Sequence, residues 1–282
     1  MSQPLSPESQ DRLVVLHHHV FKNAGTTLDG ALEREFGPRF ATYDGPRPNH
    51  CLTRDEVAAF LARRPAVQVL SSHQARPRSL PETGFHWLPI LLVRHPLDRV
   101  RSIYAFERRQ RGTSPGARMA KELDLPGYVR WRLSQGHPNL LCDYHLGFLS
   151  VHREHGPKRP DLDAAKAALE GMALTGTVER FDESVCVGEA VLRRWFPDLD
   201  LSCAPRNVTR GRRASLEERL AELRADLGDA LYDELVAKNQ RDLELHRFAN
   251  ALLDRRLEER VDAAALEDFR RRCAARSGAG VA

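Results

Sequence analysis

The stretch LVVLHHHVFKNAGTTLDGALEREF, residues 13–36, contains three successive signals. It opens on an apolar, β-branched run, the pattern of a strand buried on both faces. It continues through Lys22, Asn23, Ala24, Gly25, Thr26 and Thr27, small and hydroxylated residues suited to a tight turn. It closes with Leu28, Leu32 and Phe36 at i, i+4 and i+8, one apolar face of a helix. Such a junction gathers backbone N–H groups, the positive end of a helix dipole, two hydroxyls and the Lys22 ammonium, a set that suits a phosphate-type anion. It is not the nucleoside-triphosphatase loop G-x-x-x-x-G-K-[ST], because Lys22 precedes Gly25 instead of following the glycines, and magnesium is therefore not implied. The plainer alternative is a turn at Gly25 with Thr26 capping the helix.

His17, His18 and His19 stand just upstream and suggest a metal. On a strand, His17 and His19 point to one face and His18 to the other, so three adjacent imidazoles do not converge on one ion, and no metal is expected. A second strand-to-helix junction follows in LPILLVRHPLDRVRSIYAF, residues 88–106. Pro96 fits the first helical position, where its missing N–H is harmless, and Asp98 falls in the first turn. Arg94 at the strand end and Ser102 eight residues on can grip one dianion together, the arginine as a bidentate donor. The competing role for Arg94 is an ion pair with Asp98.

Further apolar runs at 67–70 and 173–178 read as strands. Leu97, Val100 and Tyr104 mark one further helical stripe, and Val185, Leu192, Trp195 and Phe196 mark another. Strands alternating with helices indicate an α/β fold with a parallel sheet. From Ser215 to Arg272 the chain is helical and highly charged. It opens on the capping-box spacing of Ser215 and Glu218, is interrupted at Gly228, and lacks the clean heptad of a coiled coil, so these helices are expected to pack on the core. The reading divides the chain into a disordered N-terminus (1–11), an α/β core (12–214), packed C-terminal helices (215–272) and a flexible tail (273–282). The Pro/Arg-rich stretches near 38–48 and 153–160 read as loops.

The 282 residues carry 43 Lys and Arg against 39 Asp and Glu, a +4 balance too mild to argue for nucleic acid. No apolar run approaches the roughly 18 to 20 residues that span a bilayer, and the polar start reads as neither signal nor anchor, so a cytoplasmic location is expected. Five cysteines without a C-x-x-C pair point to reduced thiols. The sequon at Asn207 is discounted for a chain in the cytoplasm.

HVFKNAGTT resembles the 5′-phosphosulfate motif H-I-P-K-T-A-G-T-S of carbohydrate sulfotransferases, and VRHPLDRVRSIYAF resembles their 3′-phosphate motif R-D-P-x-x-R-x-x-S-x-Y, in the same order and spacing. GTVERFDES at 176–184 is similar to a G-x-x-E-x-F-x-x-S segment of the heparan sulfate 2-O-sulfotransferase-like group. Asn139, Tyr144 and Gly147 echo its N-x-Q-x-x-Y-x-x-G stretch, and Asn239, Asp242 and Leu245 a late N-x-x-D-x-x-L helix. The likeness spans about residues 12–250. It departs at Phe21 and Asn23 (Pro and Thr in the motif), His95 (Asp), Cys142 and Asp143 (Gln-Thr) and His246 (Tyr).

The resemblance implies a P-loop-like parallel sheet flanked by helices and a donor, 3′-phosphoadenosine-5′-phosphosulfate (PAPS), used without metal. Lys22, Asn23, Ala24, Gly25, Thr26 and Thr27 would take the 5′-phosphosulfate, with Lys22 neutralising charge on the leaving oxygen. Arg94 and Ser102 would take the 3′-phosphate. The implied acceptor is a hydroxyl, on a carbohydrate or glycosylated compound, in a cytoplasmic bacterial-type member of the family. His73, just beyond a strand, is the first candidate for general base, with His19 and an acid such as Glu179 as alternatives. Arg76 and Arg78 are candidates for contact with an anionic acceptor, or else solvated loop arginines. A P-loop-like ATP-dependent kinase and a non-catalytic nucleotide- or polyanion-binding protein are the rival readings.

Overall fold

The computed structural model describes residues 11–135, 139–155, 159–204 and 215–278. The ends expected to fray at 1–10 and 279–282, part of the 153–160 loop, and the Asn207 sequon lie outside the described residues. Strands Arg12–His18 (β1), Phe40–Thr42 (β2), Val69–Ser72 (β3), Phe85–Val93 (β4) and Leu174–Thr177 (β5) form one parallel sheet in the order β2-β3-β1-β4-β5. This is the expected α/β architecture. The expectation of a loop throughout 38–48 is corrected by β2, a three-residue edge strand paired to β3 from Phe40↔Val69 to Thr42↔Ser71, too short to carry an alternating pattern.

The helices are Gly25–Phe36 (α1), Arg54–Ala62 (α2), Pro96–Arg109 (α3), Pro115–Glu122 (α4), Leu125–Ser134 (α5), Tyr144–Ser150 (α6), Leu162–Glu170 (α7), Phe181–Leu192 (α8), Leu216–Leu227 (α9), Asp229–Ala237 (α10), Gln240–Arg260 (α11) and Ala263–Gly278 (α12). They cover both faces of the sheet, which is why the strands are apolar without alternation. Val15, Ile90 and Leu92 pack against Leu28 and Leu32 of α1, Val185 of α8 and Phe269 of α12. On the opposite face Val14 and Leu16 meet Val57, Phe60 and Leu61 of α2, while Leu91 and Val93 meet Leu146, Leu169 and Leu245 of α6, α7 and α11. Leu16, Ile90 and Leu92 are at most 1% exposed, each burial contributing roughly 1.5–3 kcal/mol.

The C-terminal helices pack on this core, as the broken heptad implies. Ser215 and Glu218 form the reciprocal capping box, and Gly228 separates α9 from α10 with φ 75°, a left-handed value that glycine adopts without strain. Boundaries differ from the sequence reading at α8 and α12. Trp195 and Phe196 lie beyond α8, with Phe196 edge-on to Phe36 of α1, so their apolar character serves a turn. Residues 273–278, expected in a flexible tail, continue α12 and carry the buried Cys273. All five cysteines are free and buried.

Parallel strands place their carboxyl ends on one edge, where open α/β sheets hold ligands. His19, His73, Arg94 and Glu179 follow β1, β3, β4 and β5 on that edge. The helices α3, α4, α5, α9 and α10 pack together beside it around Leu97, Ile103, Tyr128, Leu223 and Leu235.

Candidate functional site

The chain leaves β1 and turns sharply before α1. Lys22 (φ 65°) and Ala24 (φ 59°) are both left-handed without being glycine, a conformation that costs on the order of 1–2 kcal/mol each. The turn is pinned from three sides. Arg94 Nη1 donates to the Lys22 carbonyl (3.0 Å) and Arg99 Nη1 to the Phe21 carbonyl (3.3 Å), while Asn23 Nδ2 donates to the Leu92 carbonyl (2.7 Å). Carbonyls are thereby held on the protein side of the loop. α1 has no side-chain cap and no acid in its first turn. Thr26, exposed and inside the helix, is not a cap; the capping position is Ala24. An uncapped first turn leaves its orphan N–H groups and the dipole for an external anion. Gly25 is required by contact: a Cβ there would lie 2.2 Å from His19 Cδ2.

One cavity of about 780 Å³, within the usual range for a nucleotide-sized ligand, is lined by the whole of Lys22–Thr27 and by Arg94, Ser102 and His73. All the residues expected at the donor site, together with the expected base, are thus brought to one place. Arg94 follows β4 and is 8% exposed. Its Nε donates to Asp98 Oδ2 (2.8 Å) and its Nη2 to the Asp98 carbonyl (3.2 Å), so the Arg94–Asp98 pair exists within the cavity wall. Asp98 Oδ1 accepts in turn from Arg219 Nε of α9 (2.7 Å). Burial alone would raise the Asp98 carboxyl, but the Arg94 and Arg219 guanidiniums hold it below the usual range. Ser102 lies two turns along α3, and the Lys22 ammonium sits over the Phe106 ring, 4.9 Å from its centroid.

The histidines sort by strand alternation. His17 and His19 share a face, and both donate through Nδ1 to the two oxygens of Asp29, at 2.6 and 2.7 Å. Burial would raise Asp29, but His17 and His19 hold it well below the ordinary carboxyl range, while burial lowers His19. These three side chains are the group among the described residues close enough to share a cation. Ligands around tetrahedral zinc stand about 3.3 Å apart. The observed 2.6–2.7 Å contacts are hydrogen bonds that would have to open. His18 points the other way, donates through Nδ1 to the Ala75 carbonyl (2.8 Å), and is lowered to about 4 by burial.

His73 stacks on His19 with ring centroids 4.1 Å apart. Its Nδ1 donates to Asp44 Oδ2 (3.0 Å), and its backbone N–H donates to Asp44 Oδ1 (2.9 Å). Two carboxylate–imidazole pairs therefore meet face to face, each with Nε2 turned away from its acid. Asp44 is held low by the His73 and Ser72 hydrogen bonds, against the opposite effect of burial.

Three further candidates lie apart from the cavity wall. Glu179 is absent from the cavity wall: it accepts from the His95 backbone N–H (2.9 Å) and pairs with His246 (3.0 Å). Arg76 Nη1 is committed to the Gly147 and Val151 carbonyls (3.1 and 2.8 Å), tying α6 down. Neither Arg76 nor Arg78 lines the cavity. Sequence reasoning missed Asp29, Asp44, Arg219 and Phe106. Asp29 alone left a signal, an acid one turn after Gly25 at the start of an otherwise apolar helix face; the others depend on tertiary contacts.

No family model matches this chain. A curated protein of Archaeoglobus fulgidus that carries the description "Uncharacterized protein" is 32% identical over 241 residues, covering 83% of this chain and 95% of its own length. The chain belongs to the same family as this archaeal protein.

Proposed function

We propose that the chain is a sulfotransferase, moving a sulfuryl group from PAPS to a hydroxyl of a carbohydrate or glycosylated acceptor. The observation that carries the reading is the single cavity joining an uncapped anion loop, the Arg94/Ser102 pair and the stacked His73 and His19. A donor with phosphate at both its 5′ and 3′ positions needs two anion sites, and a transfer to a hydroxyl needs a base beside one of them.

In this reading the first N–H groups of α1 and the Thr26 and Thr27 hydroxyls hold the 5′-phosphate, while Arg94 and Ser102 hold the 3′-phosphate. Lys22, on a flexible stem, leaves the Phe106 ring and neutralises the bridging oxygen as the sulfuryl group departs. The remaining work is in-line positioning, as in phosphoryl transfer, with no covalent intermediate. His73 takes the acceptor proton. With Nδ1–H committed to the Asp44 carboxylate, Nε2 is the ring nitrogen left to accept the proton. Its side chain is 49% exposed against 12% for His19, which favours His73 as the base that meets an incoming acceptor.

The test is transfer of labelled sulfuryl group from PAPS to a panel of hydroxylated acceptors. Labelled product that is lost in Lys22→Ala and His73→Asn is expected. Absence of transfer to every acceptor, with no binding of the desulfated donor, would overturn the reading.

A further inference from the structure

Asn23 sits between the two left-handed residues of the anion loop and is 2% exposed. Besides the Leu92 carbonyl, its Nδ2 donates to His145 Nε2 at 2.8 Å. An imidazole nitrogen accepts only when it carries no proton, so this contact requires the tautomer with hydrogen on Nδ1. Asp242 of α11 supplies the reason for that tautomer: its Oδ2 accepts from His145 Nδ1 at 2.8 Å, and the ring is 1% exposed. The same carboxylate accepts from the His145 and Leu146 backbone N–H groups (2.9 and 2.8 Å), capping α6, whose own capping position has no side-chain bond. Burial lowers the His145 pKa, which favours the neutral ring, and the hydrogen bonds that Asp242 accepts from the His145 ring and from the His145 and Leu146 backbone N–H groups hold its carboxyl below the ordinary range against burial.

We propose that Asp242 is a positioning residue for the anion loop: by fixing His145 with its proton on Nδ1, it leaves Nε2 to anchor Asn23 and so holds the turn between Lys22 and Ala24. The link to donor binding rests on the proposed function, whereas the tautomer and the anchor do not. In Asp242→Asn the side chain can present its amide N–H₂ to Nδ1, moving the ring proton to Nε2 and setting it against the Asn23 amide, donor facing donor.

The experiment has two arms. In the first, ¹⁵N-histidine NMR of the full chain identifies His145 by its loss in His145→Gln. The neutral Nδ1–H form is expected in the wild type and the Nε2–H form in Asp242→Asn; an Nε2–H form in the wild type would overturn the proposal. In the second, calorimetry with adenosine 3′,5′-bisphosphate runs a double-mutant cycle. Asp242→Asn should weaken binding about tenfold, the size of one buried hydrogen bond lost. In an Asn23→Thr background it should cost nearly nothing further, because a threonine hydroxyl both donates and accepts and is indifferent to the tautomer. An equal loss in both backgrounds would mean that Asp242 serves only to cap α6, and would refute the coupling. Failure of the wild type to bind this nucleotide would remove the proposed function and leave the NMR arm to decide the positioning role.

Discussion

Arg94→Ala separates the two roles that Arg94 plays in the structure. The guanidinium is 8% exposed and donates to Asp98 twice and to the Lys22 carbonyl once. Removing one partner of a buried pair costs about 3–5 kcal/mol when the other charge is stranded. Here Asp98 keeps Arg219 at 2.7 Å, so the loss of stability should fall nearer about 2 kcal/mol, the cost of the unsatisfied Lys22 carbonyl and a weakened pair. For the donor, losing a bidentate cation at a dianion is worth on the order of 2–4 kcal/mol, or roughly 30- to 700-fold in affinity. Calorimetry with adenosine 3′,5′-bisphosphate and with adenosine 5′-phosphate reads the second effect, and thermal unfolding reads the first. The bisphosphate should lose its full factor while the 5′-phosphate is nearly unaffected. If both nucleotides weaken equally, Arg94 acts by holding the loop through Lys22 and does not read the 3′-phosphate.

Lys22→Ala should lower kcat by about 10²–10³ while donor Kd moves far less, because the charge it meets grows only as the oxygen leaves; a change confined to KM would contradict this. His73→Asn should cost about 10²–10⁴ in turnover with folding and donor binding intact. Near-normal turnover there, together with abolition in His19→Asn, would move the base to the imidazole paired with Asp29. Acid stability tests the buried histidines. His18, lowered from 6.5 to about 4, resists protonation in the folded state, so its contribution is complete above pH 6.5 and is lost as pH falls toward 4, on the order of 3 kcal/mol. Urea unfolding across that window should show a smaller fall for His18→Gln than for the wild type, and parallel profiles would refute the assignment.

What could be read in advance was local chemistry. Ser215 and Glu218 cap a helix three residues apart, Pro96 opens α3, and a turn joins β1 to α1 as the pattern implies, although the helix already begins at Gly25 and takes in Thr26 and Thr27. The strand limits shifted where polarity hid them: β3 runs through Ser71 and Ser72, buried serines outside any apolar run. Long-range pairings were illegible for a physical reason. Asp44 meets His73 across 29 residues, Arg219 meets Asp98 across 121, and Asp242 meets His145 across 97, and no periodicity encodes such meetings. Arg76, for which the sequence left open an acceptor contact or a solvated loop position, is used by the fold to satisfy the carbonyls at the end of α6.

The most direct test of the account is calorimetric binding of adenosine 3′,5′-bisphosphate with a chelator present, set beside ATP with magnesium. An anion loop whose lysine precedes its glycine, joined in one cavity to Arg94 and Ser102, predicts micromolar binding of the bisphosphate without metal and much weaker binding of ATP. Equal or tighter binding of magnesium–ATP would contradict it.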